Sequence, residues 1–139
     1  MGTMTIDRLL DAFALLEDWQ ERYDYLSEVG AKLPPMPEAE KTEAHRVQGC
    51  VSSVWVTGRA VGEPPIMEYH ADGEGAVVRG LVALVLMLFQ DRPRAEVLEL
   101  DAQGVIQRLC LDEHLSANRR MGLHAMIERF KAIARGSPA

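Results

Sequence analysis

The stretch "VSSVWVTGRAVGEPPIMEYHADGEGAVVRGLVALVLMLF", Val51 to Phe89, decides the fold class. "VSSVWV" is rich in β-branched and aromatic residues and predicts a strand, and "IMEYHA" predicts its partner. "GEPP" between them is turn chemistry, so the two strands form an antiparallel pair. Asp72 and Gly73 then read as the start of a helix. Residues 76–89 are apolar nearly all round, which predicts a helix buried in the middle of the domain. The valine-rich text would also suit a buried strand, but its length favours helix.

Helical patterns flank this centre. Ile6, Leu9, Leu10, Phe13 and Leu16 recur at amphipathic spacing, and Trp19, Tyr23 and Leu26 continue it toward Gly30, which reads as a helix stop. Pro34, Pro35 and Pro37 fix φ and remove backbone donors, so residues 33–41 form an irregular, partly rigid surface connector. Beyond residue 90 the chain predicts short helical pieces broken by Pro93 and Gly104. Leu123, Met126, Ile127, Phe130 and Ile133 make a second clear helical stripe with a basic last turn that suits the helix dipole. Helices, then strands, then helices make an α+β fold with a small antiparallel sheet packed on helices.

The chain has 139 residues, a length that suits one domain, and 47% apolar with 26% charged residues suits a globular one. Residues 1–3 read as additions ahead of a start at Met4. A net charge of −6 argues against nucleic-acid binding, which needs a basic face, and against an anionic membrane surface. The apolar run at residues 80–89 is too short to span a bilayer, and the N-terminus lacks a signal-peptide pattern. Cys50 and Cys110 do not make a secreted disulfide framework, so a cytoplasmic location is expected.

Cys50 follows Gly49 in "HRVQGCVSSVW", between the proline-rich connector and the first strand. A loop there exposes a thiol, and glycine lets the backbone bend for another macromolecule to approach. The nucleophile is the thiolate, which needs positive support; His45 and Arg46 are the local candidates. The alternative is that Cys50 is a small apolar residue capping the strand. Residue pattern leaves both readings open. His45, His70, His114 and His124 stand in no protease-like signature, no Cys-x-x-Cys occurs, and two distant cysteines with scattered histidines make a poor metal or iron–sulfur ligand set. No metal is expected.

"DWQERYDYLSEVGAKLPPMP", "RVQGCVSSVW", "HADGEGAVVRGLVALVL" and "HLSANRRMGLHAMIERF" together resemble the SufE/CsdE family of sulfur acceptors, in the right order over nearly the whole chain. The resemblance implies a single SufE-like domain with the fold shared by cluster-assembly scaffolds. It also implies a stoichiometric sulfur carrier in iron–sulfur cluster assembly rather than an enzyme. Cys50 would take persulfide sulfur from a SufS/CsdA-like cysteine desulfurase, stimulate it, and pass the sulfur to a SufBCD-like scaffold. No cofactor is expected on this chain, because pyridoxal phosphate would belong to the desulfurase. Arg119 occupies the arginine position of the "HLSxxR" block, where the resemblance implies desulfurase contact. Val51 stands where the family commonly has glutamine, and "LSANRRM" where it commonly has "LSPSRS". A non-covalent regulatory module for a desulfurase and an iron–sulfur scaffold are the alternatives, and a homodimer is left open.

The remaining candidates have structural readings. Asp72 and Glu74 cap the buried helix, or else tune the partner interface together with Gly49. Arg79 pairs with an acidic neighbour, Arg120 is solvated, and His114 and Ser116 orient the last helix. Trp19, Tyr23 and Trp55 belong to the core, Met36 flanks the cysteine, and Cys110 in "RLCL" is inert core. Against docking needs, the Cys50 side chain is expected to rest against apolar neighbours and swing out only to meet a partner.

Overall fold

The computed structural model describes residues 5–136, so the reading of residues 1–3 as additions lies outside the described residues. Helix α1 (Ile6–Leu15) starts at Thr5, whose hydroxyl accepts from Arg8 N, and α2 (Trp19–Ala31) starts at Asp18, whose carboxylate accepts from Glu21 N. Each side chain satisfies a donor the first helical turn leaves free. Two capped helices therefore replace the continuous spacing read from the sequence, and residues 16–18 form the corner between them.

The hairpin pairs β1 (Val54–Val61) with β2 (Ile66–Gly73) antiparallel, from Val54 opposite Gly73 to Val61 opposite Ile66. Alternation sorts the side chains. Val54, Val56, Met67, Tyr69 and Ala71 are buried, while Arg59, Glu68 and His70 stand on the outer face. The strand begins three residues later than "VSSVWV" suggests, leaving residues 50–53 as loop.

Helix α3 (Ala76–Phe89) follows as expected, with Val78, Leu81, Val82, Leu84, Val85, Leu88 and Phe89 buried. It is the centre of the domain. It lies against α2, against β2 and against the last helix. Full burial of each large aliphatic side chain contributes roughly 1.5–3 kcal/mol, so this one helix supplies much of the drive to fold. Gly30 is not a helix stop: α2 runs through it to Ala31. Its role is contact, because a Cβ on Gly30 would strike the backbone of Gly80, and a Cβ on Gly80 that of Leu26.

The later pieces are α4 (Arg94–Glu99), α5 (Ala102–Arg108), α6 (Leu111–His114) and α7 (Ala117–Ala134). Pro93 stands before α4 as the expected break. Gly104 does not break the chain; it sits in the first turn of α5, where its N–H donates to the capping Asp101. Cys110 is not core. It is exposed, at φ +59° between α5 and α6, and this left-handed turn buries Leu109 and Leu111 while pointing the thiol outward. Among the described residues, no helix is long and apolar enough to cross a membrane.

The connector after α2 is anchored rather than superficial. Leu33 and Met36 are buried, and the 3₁₀ turns Glu38–Glu40 and Glu43–His45 lie over the start of the hairpin. Lys41 Nζ is 3.1 Å from Asp72 Oδ2 and lies over the Trp55 ring, and Glu40 accepts from Thr57 Oγ1 at 2.6 Å. Trp55 is thus half-buried by the connector on the outer face of the sheet, not by the core.

The backbone crossing gives a direct test. Gly80→Ala forces a methyl into backbone with no flexible neighbour to yield, and overpacking of this kind typically costs about 1–3 kcal/mol. Urea unfolding should place Gly80→Ala at or above the top of that range, whereas an unchanged midpoint would mean that the two helices do not touch there.

Candidate functional site

The site is built where the connector meets the hairpin. Val47 N donates to Val54 O at 2.8 Å, and Glu74 N donates to Ser53 O at 3.0 Å. These two bonds pin both ends of the loop that carries Cys50. Between them Gly49 has φ +94°, a left-handed backbone that glycine adopts without Cβ strain, and it turns the chain so that Cys50 faces α7.

Cys50 lines a hollow of about 250 Å³. Val54, Val78, Leu81 and Met126 form its apolar walls, from β1, α3 and α7, and Arg119 stands at its polar side. The side chain is half-buried, and its S–H donates to the carbonyl oxygen of Gly122 at 3.5 Å. Burial pushes the thiol pKa up, and the charge of Arg46 opposes that rise. At rest the sulfur is therefore a protonated thiol at neutral pH, sheltered but not sealed. Val51, which also lines the hollow, is 72% exposed and leaves an uncovered apolar edge there, and Met121, next to Gly122 in the chain, is 60% exposed.

The other sequence candidates divide. Arg119 shares the hollow with Cys50, and its backbone N–H donates to the Ser116 hydroxyl that caps α7. Ser116 thus orients the last helix as expected. Arg46 acts on the thiol by charge while pairing with Glu43 at 3.6 Å. His45 does not turn toward the thiol. Its Nδ1 lies 2.8 Å from Glu40 O, and its ring lines a separate hollow on the outer sheet face with Thr57 and His70. Met36 is buried elsewhere than in the walls of the Cys50 hollow.

Asp72 and Glu74 do not cap α3. The residue before that helix is Gly75, and no side chain caps it. Strand pairing continues through Asp72, which holds its carboxylate on the sheet between two cations. Lys41 Nζ lies 3.1 Å from Oδ2, Arg79 Nε lies 3.1 Å from Oδ1 as an ion pair, and Gly73 N donates at 2.8 Å. Burial alone would raise the Asp72 pKa; the Gly73 bond and the two cations outweigh it and hold the carboxyl below its ordinary value. Arg79 thus has the acidic partner expected of it. Glu74 keeps its side chain exposed and contributes its backbone N–H to the loop anchor.

Arg120 is not simply solvated, because its Nη1 donates to Asp112 O at 2.9 Å. Trp19 and Tyr23 are half-buried, and His114 stacks on the Trp19 ring at 4.0 Å between centroids. Among the described residues, no three His, Cys, Asp or Glu side chains converge as metal ligands. Sequence reasoning missed Gly122, the residue the thiol touches. Its signal was a glycine inside the clearest helical stripe of the chain.

A half-buried thiol on a short, doubly anchored loop, beside an arginine and an exposed apolar residue, puts this chain in a class of small α+β proteins with one sheltered cysteine at a hollow. Comparison with known proteins gives that class a family. The SufE profile, described as an Fe-S metabolism associated domain, matches residues 7–134. An uncharacterized SufE-like protein of Rhizobium meliloti is 40% identical over 95% of this chain and 96% of its own. One of Rhizobium etli is 38% identical over 94% of this chain and 90% of its own. The chain belongs to the SufE family. The solution structure of a hypothetical protein from Thermus thermophilus has the same fold, with a TM-score of 0.73 at 24% identity over 96% of this chain and 98% of that one.

Two measurements check the electrostatics. In an otherwise wild-type Cys110→Ser background, Arg46→Ala removes the charge that favours the thiolate, so the pKa rises and the thiolate fraction at fixed pH falls. Alkylation of Cys50 near pH 8 should slow by about two- to tenfold, since one pKa unit is a factor of ten; an equal or faster rate would refute the role of Arg46. Asp72→Asn should cost about 1–3 kcal/mol at pH 7 by urea unfolding, as for a charged hydrogen-bonded group. Because the folded carboxyl pKa is depressed, that stabilisation is present above the ordinary carboxylate value and is lost as pH falls through the folded one. The gap between wild type and variant should therefore close below about pH 4, and a gap independent of pH would show that the charge is not what matters.

Proposed function

We propose that this protein is a sulfur carrier for iron–sulfur cluster assembly, with Cys50 as its acceptor. The Cys50 thiol loses its proton as it leaves the hollow. The thiolate attacks the terminal sulfur of a persulfide on a cysteine desulfurase. A new S–S bond forms at Cys50, the old S–S bond breaks, and the desulfurase cysteine departs as a thiolate. No net oxidation occurs, because one persulfide replaces another. The pyridoxal phosphate that cleaves the C–S bond of free cysteine stays with the desulfurase. Cys50 then hands its sulfur to a scaffold in the cytoplasm, and docking stimulates the desulfurase by clearing its persulfide.

The observation that supports this reading is the position of one sulfur: Cys50 stands on a short loop, half-buried in a hollow with apolar walls. An outer sulfur on Cys50 would find shelter there from reductant and oxidant. Arg119 at the hollow and the exposed Val51 and Met121 supply a charged and apolar docking rim, with Gly49 and Glu74 at the loop's own edges. Asp72 supports that rim only through the ion pairs that hold the hairpin and connector together.

Intact mass without reductant, after mixing with a SufS-like desulfurase and free cysteine, tests the assignment. The protein should gain one or more sulfur atoms, Cys50→Ser should gain none, and Cys110→Ser should gain as much as wild type. An unmodified protein that still accelerates sulfide release would replace the carrier with a non-covalent activator. Sulfur on Cys110 in the Cys50→Ser variant would overturn the assignment of the two thiols.

A further inference from the structure

The contact between Cys50 and the last helix has a feature that sulfur transfer alone does not require. Gly122 lies inside α7, well past the Ser116 cap, and it is buried. Glycine in a helix interior costs about 1 kcal/mol relative to alanine. The chain carries that cost at the residue whose carbonyl accepts the Cys50 S–H. A Cβ on Gly122 would lie 3.4 Å from Cys50 Sγ and 3.9 Å from Cys50 Cβ. The first distance is ordinary van der Waals contact, so a lone methyl would just touch the sulfur. Any atom beyond that methyl would have to share the space the thiol occupies.

We propose that Gly122 is a positioning residue that latches the Cys50 thiol against α7 and so governs when that thiol is available. The inference rests on the carrier reading for its purpose, and on the geometry of the resting thiol for its mechanism. Two properties of the glycine combine. Its missing side chain lets the sulfur approach the helix backbone, and its carbonyl then offers a neutral acceptor. A carbonyl oxygen accepts from S–H but repels a thiolate, so the latched form is the protonated form. Ionisation and departure from Gly122 are therefore coupled: at that carbonyl a thiol has a partner and a thiolate has none. Arg119 of the same helix, at the polar side of the hollow, would draw the thiolate away from it. Arg46, and any positive charge on a docked partner, would favour the released thiolate. The sulfur is held inert in the free protein by the same contact that docking must break.

The test reads the thiol itself, in the Cys110→Ser background and at temperatures where circular dichroism shows every variant folded. Iodoacetamide alkylation is followed by intact mass across a pH series. Gly122→Val fills the latch, so alkylation near pH 7.5 should rise about tenfold or more, equivalent to a fall of a pKa unit in the midpoint of the rate profile. Gly122→Ala should stay within about threefold of wild type and melt at a higher temperature, because the methyl only touches the sulfur while improving the helix. Gly122→Ser carries the same test should the valine variant not fold, with a rate above that of the alanine variant. A valine or serine variant alkylated at the wild-type rate, or an alanine variant as reactive as the valine one, would overturn the latch.

Sulfur uptake separates the two proposals. Faster alkylation in Gly122→Val, with no mass gain from desulfurase and cysteine in any variant, would leave the latch standing and remove the carrier. Normal mass gain, with alkylation unmoved by valine, would do the reverse.

Discussion

Two helix backbones touch at Gly30 and Gly80, and the site depends on that approach. Helix α3 is apolar almost all round, so it needs neighbours on every side before its burial becomes favourable. The missing Cβ atoms let α2 close against it, and the hairpin and α7 cover its other faces. Held this way, α3 offers Val78 and Leu81 as fixed walls of the Cys50 hollow. A looser crossing would move those walls without changing any residue of the loop. Interiors packed at near-crystalline density transmit such shifts rather than absorb them. The chemistry of one exposed-side loop is thus tied to a contact on the opposite face of the buried helix.

The thiol is subject to opposing demands, and the surroundings divide them in space. Sheltered sulfur resists oxidation, yet nucleophilic sulfur must be ionised and reachable. Apolar walls and the Gly122 carbonyl favour the neutral, sheltered form, while Arg46 favours the charged one. At rest burial outweighs Arg46 and keeps the thiol neutral, although the residue is only half-covered. Cys110 makes the contrast plain. It is exposed and lies outside the hollow that shelters Cys50.

Much of the fold could be read from residue pattern because its signals were local. "GEPP" between two β-rich runs set the hairpin, and the run at residues 76–89 was too long for a strand. Misreadings arose where a single residue had two physical uses. Asp72 has the chemistry of a helix cap, but strand pairing extends through it and its carboxylate neutralises Lys41 and Arg79. Gly104 has the chemistry of a breaker, but the Asp101 cap places it harmlessly in a first turn. Cys110 sits in apolar text, but one left-handed residue reverses its direction. At the site, Cys50 and Arg119 could be named from the sequence, whereas Gly122 could not. Its meaning lies in a contact across 72 residues of chain, and a glycine inside a helix announces only that something comes close.

The anchors of the loop set how far its sulfur can travel. Val47 and Ser53 are fixed by backbone hydrogen bonds to Val54 and Glu74, and Cys50 stands three residues from each. Three residues fully extended span about 10 Å, so while both anchors hold the Cys50 backbone stays within roughly that distance of each. Nothing in the hairpin or in α7 has to move for a shift of the loop within that limit. Beyond the first anchor the connector is held to the sheet by Lys41 and Asp72, by Glu40 and Thr57, and by the buried Leu33 and Met36. A longer reach would require breaking a partly buried ion pair and exposing two apolar side chains, a cost of several kcal/mol by ordinary burial values. The geometry therefore favours a partner that brings its own sulfur close to the rim, with this chain moving only five residues to meet it.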